Sequence, residues 1–165
     1  MVLATHAIAG AAVAQLFPDN PALGFGLALV SHFVLDMIPH WDYHLSSLEL
    51  PADGNKLNRR FHFNNPTFIA DLMKIGADGL LGLLAAFIFF YPQTSWSLWL
   101  LVLGVFGGVL PDWLQFVFYK YRPRWLQPLQ RFHIWIHARR DFNDRPIAGV
   151  LMQMALAVLI VFVLK

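Results

Sequence analysis

The sequence predicts an all-α fold: a polytopic integral-membrane bundle of about five helices plus one interfacial amphipathic helix, forming a single domain over residues 1–165. Three observations predict it. Of the 165 residues, 58% are hydrophobic and only 13% are charged, whereas soluble domains have about 45–50% apolar and about 25% charged residues. The apolar residues fall in blocks close to the length of about 17–25 residues that a helix needs to cross a bilayer. The basic residues lie between alternate blocks. This composition excludes an ordinary soluble enzyme and a disordered tail, and the lack of cysteine excludes a disulfide-stapled secreted module.

The first block, residues 2–17, is short and rich in Ala and Gly. Ala12-Val13-Ala14 has the small-residue pattern of a cleavage site, but no basic stretch precedes the apolar run, so the block reads as a retained helix. Phe17-Pro18-Asp19-Asn20-Pro21 forms a tight connector to the second block, residues 22–38. The third, residues 66–90, opens on an Asn cap followed by Pro66 at the first helical position. Pro92 and the Thr94/Ser95 pair separate it from the fourth, residues 95–118. Residues 123–140 are too charged to span, yet Trp125, Leu129, Phe132 and Ile136 recur at helical spacing, which suits a helix lying in the interface. Pro146 opens the last block, residues 146–164.

Alternating these blocks puts Lys56, Arg59, Arg60, Lys120, Arg122, Arg124, Arg131, Arg139, Arg140 and Arg145 on one side, with only Lys165 opposite and Lys74 inside a span. By the positive-inside rule that side, with the N-terminus, is expected to be cytoplasmic. Tyr91, Trp96 and Trp99 mark the outer interface; Trp41, Tyr43, Tyr119, Tyr121 and Trp125 mark the inner one. The basic residues are expected to meet membrane lipid, not nucleic acid.

Ionisable residues within spans are costly and face a bundle interior. Here they are His6, His32, Asp36, Asp71, Lys74, Asp78 and Asp112, joined by His40, Asp42 and His44 in a loop and by His133 and His137 on the interfacial helix. The topology brings all of them toward the cytoplasmic end. His32 and Asp36 are neighbours on one helix face, as are His133 and His137. Imidazole and carboxylate are ligands for zinc and similar divalent ions, and without cysteine any site uses nitrogen and oxygen alone. The bland readings are a hydrogen-bonded His–Asp pair, headgroup-facing histidines, and an Asp71–Lys74–Asp78 ion pair lining a polar cavity. The constellation as a whole favours a metal site.

Thr5-His6-Ala7 with Gly10, Ser31-His32-x3-Asp36-x3-His40-Trp41-Asp42, and Gly108-Val109-Leu110-Pro111-Asp112 resemble the small bacterial membrane-bound metal-dependent hydrolases, including the LexA-regulated inner-membrane group. The resemblance covers most of the chain, most specifically residues 31–44. The His-x3-Asp unit followed by Pro and His also resembles zinc-dependent phospholipase C and its related nucleases. That resemblance implies His6, His32, Asp36 and His40 as ligands, with His133 and His137 in the place of a later His-x3-Glu pair. It also implies a bacterial-type inner membrane.

The leading expectation is a metal-dependent phosphoesterase at the cytoplasmic leaflet. One or more divalent ions, zinc-type, would bind His6, His32, Asp36, His40, Asp112, His133 and His137. Asp42 or Asp78 would serve as general base. Arg139, Arg140 and Lys74 would hold the phosphate of a phospholipid or lipid-linked substrate. The alternatives are a small proton or cation transporter using Asp71, Lys74 and Asp78, and a metal-stabilised structural or partner-binding membrane protein.

Overall fold

The computed structural model describes residues 1–138 and 142–164, and almost all of its regular structure is helical. Among the described residues six α-helices form, one in each apolar block and one in the charged segment: α1 (Leu3–Gln15), α2 (Pro21–Asp36), α3 (Phe68–Phe89), α4 (Ser95–Tyr121), α5 (Gln127–Ile136) and α6 (Pro146–Leu164). Three of them, α3, α4 and α6, with 22, 27 and 19 residues, are long and apolar enough to cross a membrane. At 1.5 Å per residue, α1 and α2 reach only about 20 and 24 Å, short of a hydrocarbon core of about 30 Å. The five expected spans therefore become three of spanning length and two shorter helices.

The composition of α1 decides the architecture. Its side chains from Thr5 to Ala12 are buried on every face, which places it at the centre of the bundle. It packs against α2, α3, α4 and α6. Small residues permit this. A Cβ on Gly10 would strike the Gly104 carbonyl, and one on Gly108 would strike the His6 carbonyl. The α1 and α4 backbones thus meet directly, as at small-residue contacts between membrane helices. On the outside, α3 and α6 leave Met73, Leu81, Ile88, Ile147 and Phe162 exposed, an apolar girdle suited to lipid.

Local signals fix the ends. The Asn20 side chain accepts from Leu23 N–H with Pro21 at the first turn of α2, and a Thr94/Ser97 capping box starts α4. Trp96 Nε1 donates to the Pro18 carbonyl at 3.1 Å, tying the α1–α2 and α3–α4 connections together at one end. At the other end, the α2–α3 connection carries a two-stranded antiparallel ribbon, β1 (Leu48–Glu49) and β2 (Arg60–Phe61), absent from the sequence reading. Asp71 anchors this connection: its Oδ2 accepts from Ser47 N–H at 2.7 Å and Ser47 Oγ at 2.8 Å. Helix α5 turns Gln130 and His133 inward and exposes Trp135 and Arg131, the two-faced character expected of an interfacial helix. Phe132 meets Phe33 of α2 edge to face, with centroids 5.0 Å apart.

Candidate metal centre

Four helices and one loop deliver histidines and aspartates to a single point. His6 comes from the second turn of α1, and His32 and Asp36 from the end of α2. Asp112 follows Pro111 in α4; His133 lies on α5 and His137 at its C-cap. Met37–Ile38–Pro39 ends α2 and brings His40 and Asp42 back over it. Backbone bonds hold the later chain beside that turn: Ala138 N–H donates to the Asp36 carbonyl at 2.7 Å and Phe142 N–H to the His40 carbonyl at 2.9 Å.

Asp36 is the hub. Its Oδ2 lies 2.9 Å from His133 Nε2 and 3.3 Å from His32 Nε2. Its Oδ1 lies 3.0 Å from the Met1 amino nitrogen and 3.2 Å from His6 Nε2. His32, Asp36, Asp112 and His133 each offer a ligand atom within 4.8 Å of all the others, and Asp36, His40 and His137 do the same. The two groups share Asp36. Asp42 lies beside the second: its Oδ2 is 3.3 Å from His40 Nε2 and 3.7 Å from His137 Nε2, and its Oδ1 is 3.0 Å from the Met1 amino nitrogen.

The orientation of the rings bears on metal binding. His32 Nδ1 lies 2.7 Å from the Gly108 carbonyl, and His40 Nδ1 lies 2.7 Å from the Ile38 carbonyl. A carbonyl only accepts, so each Nδ1 carries the proton and each Nε2 presents a lone pair; that of His40 meets the Met1 amino group at 2.8 Å. A backbone carbonyl on the remote ring nitrogen is the usual support for a metal-ligating histidine. His133 differs: its Nδ1 accepts from the Gln115 amide nitrogen at 3.4 Å, so its Nε2 carries the proton and donates to Asp36 Oδ2 at 2.9 Å. The Nε2 atoms then meet head to head, His32 with His133 at 3.3 Å and His40 with His137 at 3.2 Å. His6 stacks on His32 with centroids 3.9 Å apart; its Nε2 faces Asp36 Oδ1 at 3.2 Å without hydrogen-bond geometry, and its buried Nδ1 has no hydrogen-bond partner. Buried polar atoms are rarely left so. The Nε2 lone pairs of His32 and His40 and three carboxylates fit a divalent cation, which would take the place of the His133 Nε2 proton.

Burial is uneven. His6, His32, Asp36, His40 and His133 are all at most 2% exposed, whereas Asp112, His137 and Asp42 are 25%, 23% and 41% exposed at the side chain. Small molecules therefore meet the cluster from the Asp42–His137–Asp112 side. There, burial lowers the His137 imidazole to about 4 and keeps it neutral. Burial opposes ionisation of Asp42, but His40 and the Met1 amino group outweigh it and hold the carboxyl below its usual range.

Other residues singled out in the sequence lie differently. Asp78 accepts from Leu3 N–H at 2.6 Å and Ala4 N–H at 3.3 Å, capping the start of α1. Lys74, 48% exposed, bonds to Asp71 Oδ1 at 3.0 Å. Arg139 and Arg140 lie outside the described residues. The sequence reading missed the Gly108 and Ile38 carbonyls, Gln115 and the Met1 nitrogen. Of these only Gln115 carried a signal, three residues after Asp112 on the same helix face. No family model, curated protein or solved structure matches the chain.

Proposed function

We propose that the protein is a membrane-embedded metal-dependent phosphoesterase that would hold up to two divalent, zinc-type cations, with Asp36 in both ligand groups. His32, Asp36, Asp112 and His133 would hold one ion, and Asp36, His40 and His137 the other. His6 is the reserve ligand beside Asp36. The observation that carries this reading is the sharing of Asp36 by two ligand groups whose His32 and His40 rings are fixed by backbone carbonyls. Divalent ions so placed supply Lewis-acid polarisation of a phosphoryl oxygen and acidification of water.

The chain's own contributions follow from position. Asp42, ionised at the rim, orients an attacking water by accepting its hydrogen bond. Arg139 and Arg140, which follow His137 in the sequence, take the phosphate in the fork geometry of guanidinium. The apolar girdle suits a lipid or lipid-linked substrate, and the basic loops favour the cytoplasmic face of a bacterial-type inner membrane.

Metal analysis of detergent-purified protein, together with an assay for phosphate or headgroup release from phospholipid vesicles, tests the proposal. The expected result is up to two divalent ions per chain, with ions and turnover both lost in Asp36→Ala. Metal-free wild-type protein, or unchanged hydrolysis in Asp36→Ala, overturns it. The near-complete burial of His32, Asp36 and His133 favours a second reading, a purely structural metal centre. In that case chelation lowers the melting temperature and no hydrolysis is found at any metal loading.

A further inference from the structure

A second polar site lies where α4 leaves the apolar zone, and it shares no residue with the metal centre. A cleft of about 160 Å³ is lined by Leu57, Asn58, Phe118, Arg122, Arg124 and Gln127. Arg122 caps α4 in the left-handed conformation, φ 56°, uncommon for a residue with a Cβ. Its guanidinium donates to the Leu57 carbonyl and, at 2.7 Å, to the Arg59 carbonyl, and it lies 5.2 Å from the centre of the Phe118 ring. The fork is thus locked in place.

Lys56, Arg59, Arg60, Lys120, Arg122 and Arg124 crowd this end, and among the described residues no arginine is ion-paired with a carboxylate. The acid nearest in sequence, Asp53, is bonded to Asn55 N–H and Asn58 Nδ2 instead. The buried Nε atoms of Arg59 and Arg122 have no hydrogen-bond partner. Burial and the like charge of Arg60 push Arg122 below the ordinary guanidinium value. Glu49, opposite Arg60 on the ribbon, meets His62 Nε2 at 2.6 Å, so among the described residues the arginines of this cluster have no carboxylate partner, and a locked guanidinium without one suits an external anion. Exposed Tyr121 and Trp125, 65% and 72% accessible, flank the cleft and suit the headgroup level of a bilayer.

We infer that the cleft between the end of α4 and the Lys56–Asn58 turn binds the phosphate of an anionic phospholipid headgroup, through Arg122 and Arg124. Each Arg122 Nη donates one N–H to a carbonyl and keeps a second for the phosphate, and Arg124, at an exposed position, adds the bidentate contact usual for guanidinium.

The test compares the protein reconstituted in phosphatidylcholine vesicles with and without phosphatidylglycerol, reading retained lipid by native mass spectrometry and the melting temperature. Wild-type protein should retain phosphatidylglycerol selectively. Arg124→Gln, at an exposed position that supports no backbone, should weaken retention by about fivefold, from about 1 kcal/mol per basic residue at a membrane surface. Arg122→Lys keeps the charge but loses the fork and should also weaken it. Arg131→Gln, on the exposed face of α5 outside the cleft, should change nothing. Equal loss in Arg131→Gln would mean a diffuse surface potential and overturn the proposal. So would retention of phosphatidylglycerol no better than of phosphatidylcholine. Competition by inorganic phosphate without any phosphatidylglycerol preference would assign the cleft to a free anion and also overturn it.

Discussion

The metal centre and the arginine cleft are opposite solutions to placing charge beside an apolar bundle. In the centre, every carboxylate is matched to imidazoles and buried or half-buried: Asp36 meets three histidines, Asp112 two and Asp42 two. In the cleft, arginines meet carbonyls and an aromatic ring but no acid. The Met1 amino group also meets Asp36 and Asp42, and Lys74 meets Asp71, but among the described residues no arginine pairs with a carboxylate. An Asp–Arg pair would neutralise both partners and leave neither available to a ligand. Separated, the acids with their histidines suit cations and the arginines suit phosphate, and α5 runs from one site to the other, from Gln127 to His133.

The largest expected effect comes from breaking one half of the centre. His133→Ala should lower the affinity for one ion by more than about 100-fold, beyond the 10–100-fold typical of outer-shell partners. The second ion, at His40 and His137, should remain, and the stoichiometry by elemental analysis should fall by one. Loss of both ions would show a single shared ion. Phosphatidylglycerol retention should not change, which would separate the two sites directly.

Next in size is the backbone contact beneath the centre. Gly108→Ala drives a Cβ into the His6 carbonyl. Overpacking of this kind costs about 1–3 kcal/mol. Thermal unfolding should shift down, and metal affinity should fall with it because the Gly108 carbonyl fixes the His32 ring. A normal metal affinity would show that ring orientation does not depend on this contact.

A smaller effect separates capping from chemistry. Asp78→Ala removes the acceptor for Leu3 and Ala4 N–H and should cost about 1 kcal/mol, the usual value of a lost helix cap. Metal content should stay normal. Loss of turnover with metal content and melting temperature near wild type would restore Asp78 to the general-base role that its place in the sequence suggested. The smallest expected effect is that of Arg124→Gln on the metal centre: none, by elemental analysis, even as lipid retention falls.

Much of this was legible in the residues. His32 and Asp36, and His133 and His137, stand four apart, and helical spacing alone makes each pair neighbours. Proline and capping residues marked the start of α2, α4 and α6 within about two residues. The ribbon of Leu48–Glu49 with Arg60–Phe61 was not legible, because two-residue strands carry no periodicity and their pairing depends on the Asp71 anchor. The role of Asp78 was also hidden. An aspartate inside an apolar helix looks the same in sequence whether it meets a proton or the N-terminus of another helix.

By itself the sequence determined that the chain is helical, apolar and charged at alternate connections, since hydropathy, helix punctuation and charge placement are local quantities. Tertiary structure decided which polar atoms meet. The glycines of α1 and α4 set how closely two backbones approach, and that approach stacks His6 on His32. The turn after α2 and the docked chain after α5 bring His40 and His137 to the far side of Asp36. Convergence on one carboxylate is a property of packing at the scale of an ångström, and no pattern along the chain encodes it.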